Sequence, residues 1–325
     1  MLRYVIRRLL FSLPVLIIAS ILVFVVMRQA ADPTAALRLN PRLSAADIAR
    51  LRHLLGLDQS GVKQYLVWAR NFFSFNWGIS VVSQQPIFDQ IRTALVNSVI
   101  LGVVATFFSL LIGVAIGVYS SLHQYSKLDN TFTTAAFVGI SMPNFWFAIM
   151  LQLFFGVYLV RWFHLSEPWF NVAGMTTPGS SGFSLTDRAR HIVLPAIVLA
   201  VQIVAVYSRY MRASMLEVLH SDYLRTARAK GLRERRVVFR HAMRNALIPI
   251  TTQLALDVGA IAAGLIITEQ VFQWPGMGPL FIRSIDTGDY PLALAWVMVT
   301  VFAVVVFNLL ADIMYAVLDP RIRYA

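Results

Sequence analysis

The sequence predicts an all-α, polytopic membrane protein with six membrane-spanning helices and a small helical subdomain between the first two spans. The composition and the distribution of apolar runs are the observations behind this prediction. The chain of 325 residues is 58% hydrophobic and only 14% charged, whereas a soluble domain carries about 25% charged residues. Six apolar runs have roughly 18 or more residues, which is enough to cross about 30 Å of hydrocarbon as a helix.

The first apolar run covers residues 9–27 and follows Arg3, Arg7 and Arg8. A signal peptide is the competing interpretation of a basic start followed by an apolar stretch. The apolar part of a signal peptide has only about 7–15 residues, and this run is longer. The following stretch "RQAADP" is also an unconvincing cleavage site. We therefore expect a retained membrane helix.

A polar segment over residues 28–95 separates the first span from the second. In "LSAADIARLRHLLGLD", Ser44 and Asp47 form a predicted capping box, and Gly56 ends the helix. Its apolar stripe is formed by Ile48, Leu51 and Leu55. A second amphipathic pattern follows in "VKQYLVWARNFFSF", with apolar positions at Tyr65, Leu66, Trp68, Ala69 and Phe72. The two patterns predict a small helical subdomain that lies against the membrane surface.

The other five spans are predicted at residues 97–119, 134–160, 191–207, 247–268 and 292–317. The chain then divides into a first helix over 1–27, the subdomain over 28–95, a membrane core over 96–318 with a loop at 209–246, and a tail over 319–325. Gly113 and Gly117 form a small-xxx-small pair, which allows close helix approach in lipid. We interpret that pair as ordinary bundle packing.

The distribution of basic residues predicts the orientation of the chain. The loop between the fourth and fifth spans, residues 207–246, holds ten basic and three acidic residues, a net charge of +7. Short loops rich in Lys and Arg stay on the cytoplasmic side. With six spans, both termini lie on that side, and the 28–95 subdomain is extracytoplasmic. The overall charge of +12 is explained by topology, so no nucleic-acid partner is expected.

The sequence lacks the patterns of several kinds of catalytic or metal site. It contains no Gly-x-x-x-x-Gly-Lys-Ser/Thr phosphate loop and no Gly-x-Ser-x-Gly elbow. Cysteine is absent, and the six histidines have no metal-ligand spacing. We therefore expect no catalytic residue, metal or cofactor in this chain. A membrane enzyme or an assembly scaffold would need polar residues clustered at one depth, and the sequence shows no such cluster.

Two carboxylates, Asp257 and Asp312, lie close to or within predicted spans. An ionisable residue inside a membrane is costly and is a functional candidate for that reason. Asn144 and Gln253 are further candidates for a translocation path, and Gln152, Gln202 and Asn308 are other polar residues in or near spans. Packing or hydrogen bonding between helices is the alternative role for all of these side chains.

The basic loop contains a short predicted helix in "SDYLRTARAKGL". Ser221 or Asp222 caps its start, and Gly231 stops it. The positions at i, i+3, i+4 and i+7 are Tyr223, Thr226, Ala227 and Lys230. This face is small and mixed, unlike the large apolar face of an interfacial membrane helix. It suits a groove on a protein partner, and a solvated basic loop that only sets topology is the alternative.

The same loop, "DYLRTARAKGL" followed by "RHAMRNALIP", resembles the signature loop of ABC-importer permeases in its peptide-importer form. The general pattern of that loop is Glu-Ala-Ala-x-x-x-Gly. Arg225 stands at the Glu position and Thr226 at the first Ala position, while Ala227 and Gly231 match. "TEQVFQWPGMGPL" is similar to the Glu-x-x-Phe-x-x-Pro-Gly-x-Gly turn of the same subgroup, and "LGLDQ", "DYPL" and "LDPRIRY" fit it too. "FSFNWGIS" departs from the Gly-Asp-Leu-Gly-like string expected there.

The resemblance implies a type I ABC-importer permease fold and a non-catalytic transport subunit for dipeptides or oligopeptides. It implies several partners: a second homologous permease subunit, two ATPase subunits or one fused ATPase chain, and an extracytoplasmic substrate-binding protein. The coupling residues that it implies are Asp222, Tyr223, Arg225, Thr226, Ala227, Lys230 and Gly231. A related importer of nickel chelates or glutathione, or a self-sufficient channel or secondary transporter, is the alternative.

Overall fold

A computed structural model describes residues 2–30, 44–54, 56, 58–179, 182–262 and 265–318. Within these residues the chain is helical, and its only extended pairing is an isolated bridge between Ile79 and Pro86. Four helical stretches in this part of the chain are long and apolar enough to cross a membrane: Ile87–Leu122, Asn144–Trp162, Leu185–Leu219 and Tyr290–Leu310. A shorter apolar stretch covers Leu10–Val26.

The first half of the described chain contains seven α-helices. They are α1 (Leu2–Ala30), α2 (Ala45–Leu54), α3 (Gly61–Phe73), α4 (Ile87–Leu122), α5 (Lys127–Ser141), α6 (Asn144–Leu153) and α7 (Leu159–Trp162). A π-helical segment, Phe154–Tyr158, joins α6 to α7. The predicted third span, residues 134–160, is therefore composed of several helical pieces.

The second half contains eight α-helices. They are α8 (Leu185–Leu219), α9 (Asp222–Ala229), α10 (Glu234–Arg236), α11 (Met243–Ala246), α12 (Ile248–Ala262), α13 (Ile266–Val271), α14 (Met277–Asp286) and α15 (Tyr290–Leu318). A second π-helical segment, Val237–Ala242, lies between α10 and α11. In the bundle, α4 packs along α8, α12 along α15, and α1 also along α15.

The capping box predicted for the first helix of the subdomain is confirmed. The Asp47 N–H donates to Ser44 Oγ at 3.2 Å, and the Ser44 N–H donates to Asp47 Oδ2 at 3.1 Å. Gly56 follows with φ +67°, the conformation that glycine adopts most readily at a helix end. The side chains of the predicted stripe Ile48, Leu51 and Leu55 lie outside the described part of the chain.

The predicted small-residue pair brings α4 and α8 together. A Cβ atom added to Gly113 would lie 2.7 Å from the Cβ of Tyr207. At Gly117 the corresponding distance to the Cβ of Met211 would be 2.5 Å. Both distances are below van der Waals contact, so larger residues would force the two helices apart. The interpretation of this pair as close helix packing is confirmed.

Two predicted spans are broken instead of continuous. In the third span, Pro143 has no N–H to donate and holds Met142 in an extended conformation, so α5 ends there and α6 begins anew. The fifth span was predicted to run to residue 268, but α12 ends at Ala262 and α13 starts at Ile266. Leu265, between them, is not helical. Glu269 follows this break within α13 and is fully buried.

The two ends of the bundle have different cores. We call the end that carries residues 209–246 the basic end; its core is formed by Val118, Met211, Met215, Leu224, Val237 and Ile250, among others. The core at the opposite end is formed by Ile87, Ile91, Ala94, Met277, Leu292, Ala295 and Trp296. The start of α4 and the start of α15 thus meet at the end away from the basic loop.

Candidate functional site: a coupling surface and two buried carboxylates

The helix predicted inside the basic loop forms as α9. Ser221 occupies the N-cap position, but its hydroxyl donates backwards to the Val218 carbonyl at 2.6 Å. Asp222 lies in the first turn, where a negative charge is favourable at the positive end of the helix dipole. Gly231 has φ +75°, and nothing lies within 4 Å of a Cβ built there. The predicted stop at Gly231 is therefore produced by its backbone conformation, and no packing contact is involved.

The inward face of α9 is attached to the bundle by one fully buried side chain. Leu224 is completely buried in the core of the basic end, where Met211 and Met215 of α8 also lie. Burying a leucine contributes about 1.5–3 kcal/mol. Ala227 is half-buried against the same core. Of the seven predicted coupling residues, Ala227 therefore faces the chain's own bundle.

The outward face of α9 has a different register from the one predicted. Asp222, Arg225, Thr226 and Ala229 follow i, i+3, i+4 and i+7 spacing and are all exposed. The Asp222 and Arg225 side chains are 96% and 76% accessible. Tyr223, Lys230 and Gly231 are exposed at the edge of this face. Ala229 was missed, although the spacing from Asp222 contains the same helical signal.

Two polar contacts hold α9 to the segment that follows it. The Asn245 side-chain amide donates to the Tyr223 hydroxyl at 2.7 Å. The Arg228 guanidinium donates two hydrogen bonds to the Glu234 carboxylate across the turn at Gly231, from Nε to Oε2 at 3.1 Å and from Nη2 to Oε1 at 2.9 Å. This guanidinium holds the pKa of the Glu234 carboxyl below its ordinary value. Exposed ion pairs contribute only about 0–1 kcal/mol, so Leu224 dominates the attachment.

One candidate path residue, Asp257, forms a polar group between α8 and α12. Its Oδ2 accepts a hydrogen bond from the Tyr207 hydroxyl at 2.7 Å, and its Oδ1 accepts from the Gln253 amide at 2.9 Å. Both donors are uncharged. Tyr207 is fully buried, whereas Asp257 and Gln253 are half-buried. The structure thus brings together two of the three predicted path residues, and the sequence analysis had not singled out Tyr207.

Asn144, the third path candidate, lies at the first turn of α6, just after the break in the third span. An open cavity of about 640 Å³ lies beside this break. Its lining includes Thr134, Val138, Gly139, Met142, Phe147 and Val201. Gln202 of α8 donates to the Met142 carbonyl at 3.2 Å and so gives a carbonyl at the break a hydrogen-bond partner. The side chain of Asp312 lies outside the described part of the chain.

A second carboxylate, Glu269, is fully buried at the end opposite the basic loop. Its Oε1 accepts from the Ser98 hydroxyl at 2.5 Å, and its Oε2 accepts from the Gly278 N–H at 2.7 Å. The Ser98 hydroxyl in turn accepts from the Met277 N–H at 2.8 Å. A Cβ at Gly276 would lie 2.4 Å from Glu269 Oε1. Glu269 accepts the hydrogen bonds of the turn motif, and Gly276 leaves the space that its carboxylate occupies. These contacts give a structural reason for both positions of the motif.

Further hydrogen bonds at the end opposite the basic loop attach α4 to the turn before α14, and the start of α15 to the segment before α4. Asn97 and the turn exchange hydrogen bonds: its amide donates to the Pro275 carbonyl at 2.8 Å, and Trp274 Nε1 donates to the Asn97 carbonyl at 3.0 Å. The Ser80 hydroxyl donates to the carboxylate of Asp289, and both residues are buried. "FSFNWGIS" and "DYPL" therefore meet in the fold.

Comparison with known proteins now identifies the class. The chain matches the family "Binding-protein-dependent transport system inner membrane component" over residues 109–324, and the N-terminal model of such membrane components over residues 1–102. The chain belongs to this family. It is therefore a non-catalytic, multi-pass permease subunit of an ABC importer in the inner membrane, a class that works with ATPase and substrate-binding-protein partners.

The individual relatives include permeases of peptide and glutathione transport systems. The chain is 40% identical over 322 residues to the oligopeptide transport system permease protein AppB of Bacillus subtilis, covering 99% of both chains. It is 34% identical over 324 residues to the glutathione transport system permease protein GsiC of Escherichia coli K12, covering 100% of both. A chain of the MetNI methionine ABC transporter in an inward-facing conformation has the same fold, with a TM-score of 0.55, 14% identity, and coverage of 72% of this chain and 98% of that chain.

The predicted type I importer permease fold and the resemblance to peptide-importer permeases are confirmed by these matches. The alternative of a self-sufficient secondary transporter fits them less well. The roles of the individual coupling and path residues stay predictions.

We call the hydrogen-bonded group of Glu269, Ser98, Met277 and Gly278 the Glu269 unit. Its hydrogen bonds lead us to predict a specific loss of stability. Ser98→Ala removes the donor to Glu269 and the acceptor for the Met277 N–H, leaving buried polar groups unsatisfied. We expect the free energy of unfolding to fall by roughly 1–3 kcal/mol. Thermal unfolding of the purified chain in detergent measures the change. Thr93→Ala, at an exposed position on the same helix, is the matched control; equal midpoints for the two variants would contradict a structural role of this unit.

Proposed function

We propose that this chain forms half of the translocation path of an ATP-driven importer of dipeptides or oligopeptides. Its partners in this proposal are a second homologous permease subunit, two ATPase subunits or one fused ATPase chain, and an extracytoplasmic binding protein. The observation that carries the substrate class is the 40% identity to an oligopeptide permease over 99% of both chains. Glutathione is the second candidate substrate, because a glutathione permease is 34% identical over the full length.

The proposed orientation places the basic end in the cytoplasm. The loop at this end carries a net charge of +7, which the positive-inside rule assigns to the cytoplasmic face. The termini and the ATPase partners lie on the same side in this arrangement. The Glu269 unit and the subdomain over residues 28–95 then face the binding protein.

In this proposal α9 is the coupling helix, and its outward face seats in a cleft of the ATPase. The exposed residues of this face are Asp222, Arg225, Thr226 and Ala229, and none has a large apolar side chain. Such a face suits contact with a protein better than insertion into lipid, which needs a large apolar face. Tyr223, Lys230 and Gly231 border the contact. Ala227 contributes indirectly, through its packing beneath the helix.

The contacts of α9 with the bundle support a route for transmitting motion. Leu224 packs in the same core as Met211 of α8 and Ile250 of α12. The Tyr223–Asn245 hydrogen bond adds a link to α11, which leads directly into α12. A displacement of α9 by the closing ATPase dimer would therefore move the fourth and fifth spans together. Such a coupled movement is what alternating access needs.

Asp257, Gln253 and Asn144 are the residues proposed to contact the translocated solute. A half-buried carboxylate between spans that is held only by uncharged donors retains its attraction for a cationic group. The open cavity lined by Met142 and Phe147, which lie on either side of Asn144 in sequence, supplies room at the break in the third span.

Reconstitution tests the assigned function. Proteoliposomes that contain the complete importer, its binding protein and internal ATP should accumulate labelled dipeptides or oligopeptides. Labelled glutathione serves as the competing substrate. Peptide uptake by vesicles that contain this chain alone, without ATPase, would overturn the proposal, because it would define a self-sufficient transporter.

The coupling surface makes a second prediction. Ala229→Trp places a bulky ring on the outward face of α9, so the helix should no longer fit the cleft. We expect a several-fold loss of ATPase stimulation by loaded binding protein, with the permease pair still assembled. Arg236→Ala, at an exposed position in the same basic loop, should leave the stimulation unchanged. Full stimulation in the Ala229→Trp variant would show that this face does not contact the ATPase.

The proposed contact of Asp257 with the solute can be tested separately from its role in helix packing. Asp257→Asn removes the charge, and we expect several-fold slower uptake with the ATPase complex intact. Tyr207→Phe removes one hydrogen bond but keeps the carboxylate, so it should affect stability more than uptake. If both variants lose stability alike and transport at the normal rate per folded complex, Asp257 is a packing residue.

A further inference from the structure

The second amphipathic helix, α3, has two apolar faces. Its inner face carries Tyr65, Trp68 and Phe72. Tyr65 and Trp68 each lie 5.6 Å from the ring of Phe24 in α1, centroid to centroid. Phe72 stacks on Trp77 at 5.1 Å, and Trp77 Nε1 donates to the Phe72 carbonyl at 2.8 Å. This face joins α3 to α1 at one side and to the segment before α4 at the other.

Among the residues that the structure describes, none covers the second apolar face of α3. Val62, Leu66 and Phe73 have accessible fractions of 71%, 60% and 68%. Their spacing of i, i+4 and i+11 places them on one side of the helix. Leu66 was predicted on the same apolar face as Tyr65 and Trp68, but the structure places it on a different face. We call Val62, Leu66 and Phe73 the free stripe.

The depth of α3 follows from its contact with α1. The Tyr65 hydroxyl hydrogen-bonds with Ser20 Oγ at 2.7 Å, and Ser20 and Phe24 both lie within the apolar stretch Leu10–Val26. Ser20 precedes Val26 by six residues, which is about 9 Å along a helix at ~1.5 Å per residue. The inner face of α3 therefore meets α1 inside the apolar stretch that is predicted to cross hydrocarbon. A helix attached at that depth is beside acyl chains and not in bulk water.

Basic side chains lie where such a helix would meet lipid headgroups. Lys63 and Arg70 are exposed and seven residues apart, so they lie along one edge of the free stripe. Arg28, just beyond the apolar stretch of α1, packs so closely on Gly61 that a Cβ there would lie 2.2 Å from its Nη1. Long basic side chains at this position extend their charge to the headgroup layer while their stems stay in apolar surroundings.

We propose that α3 is an interfacial helix embedded in the leaflet opposite the basic end, which is the outer leaflet in the orientation proposed above. The free stripe contacts acyl chains, and Lys63 and Arg70 contact headgroup phosphates. The partner of this surface is the lipid bilayer, and the proposal does not depend on the transported substrate. The bilayer then fixes the tilt of the outer subdomain relative to the spans.

The absence of cysteine from the sequence allows a direct test. Leu66→Cys and Val62→Cys variants of the full-length chain carry a nitroxide spin label in vesicles of phosphatidylethanolamine and phosphatidylglycerol. Asn71→Cys, on the opposite side of the helix and also exposed, is the matched control. We expect the labels of the free stripe to collide with oxygen in preference to a water-soluble nickel chelate, by at least several-fold relative to the control.

Three outcomes would overturn the proposal. Equal nickel accessibility at Leu66 and Asn71 would place the stripe in water. Protection of Leu66 from both reagents in the chain alone would indicate a second copy of the chain. Protection from the nickel chelate that appears only when binding protein is added would identify that protein as the partner of the stripe.

Discussion

The fold depends on one constraint: a backbone carbonyl or amide inside hydrocarbon must find its hydrogen-bond partner within the protein. The first broken span meets this requirement with a side-chain amide. Gln202 donates to the Met142 carbonyl at the first break. Gln152 donates to the carbonyls of Val172 and Val271, at 2.7 and 2.9 Å, and so joins α6 to the end of α13. These two glutamines are thereby accounted for as structural residues, as the interhelical alternative predicted.

The same constraint clarifies which polar groups are available for function. Glu269 satisfies backbone N–H and hydroxyl donors in a closed unit and is inaccessible. Asp257 is only half-buried and is held by side chains alone, so its hydrogen bonds do not support the backbone. The two carboxylates thus differ in burial and in hydrogen-bond partners, and only Asp257 is partly exposed.

Much of the architecture could be predicted because hydropathy reports on long stretches of chain. The helix at Asp222, its stop at Gly231 and the capping box at Ser44 were also predictable, since each depends on local residues. The breaks at Pro143 and Leu265 were not, because an apolar average over a whole span conceals a single turn. The outward face of α9 was assigned one register off, because only the tertiary structure shows that Leu224 and Ala227 point inward.

The Glu269 unit has a mechanical consequence. A single carboxylate holds α4, through Ser98, and the first turn of α14, through Gly278, while Asn97 of α4 is bonded to Pro275 and Trp274 in the turn just before α14. Residues 97–98 of α4 and the segment over residues 269–278 are thus joined by four hydrogen bonds: Ser98 to Glu269, Met277 to Ser98, Asn97 to Pro275 and Trp274 to Asn97. We therefore expect these two segments to move as one body, so an opening at the rim away from the basic loop should form beside them and not between them.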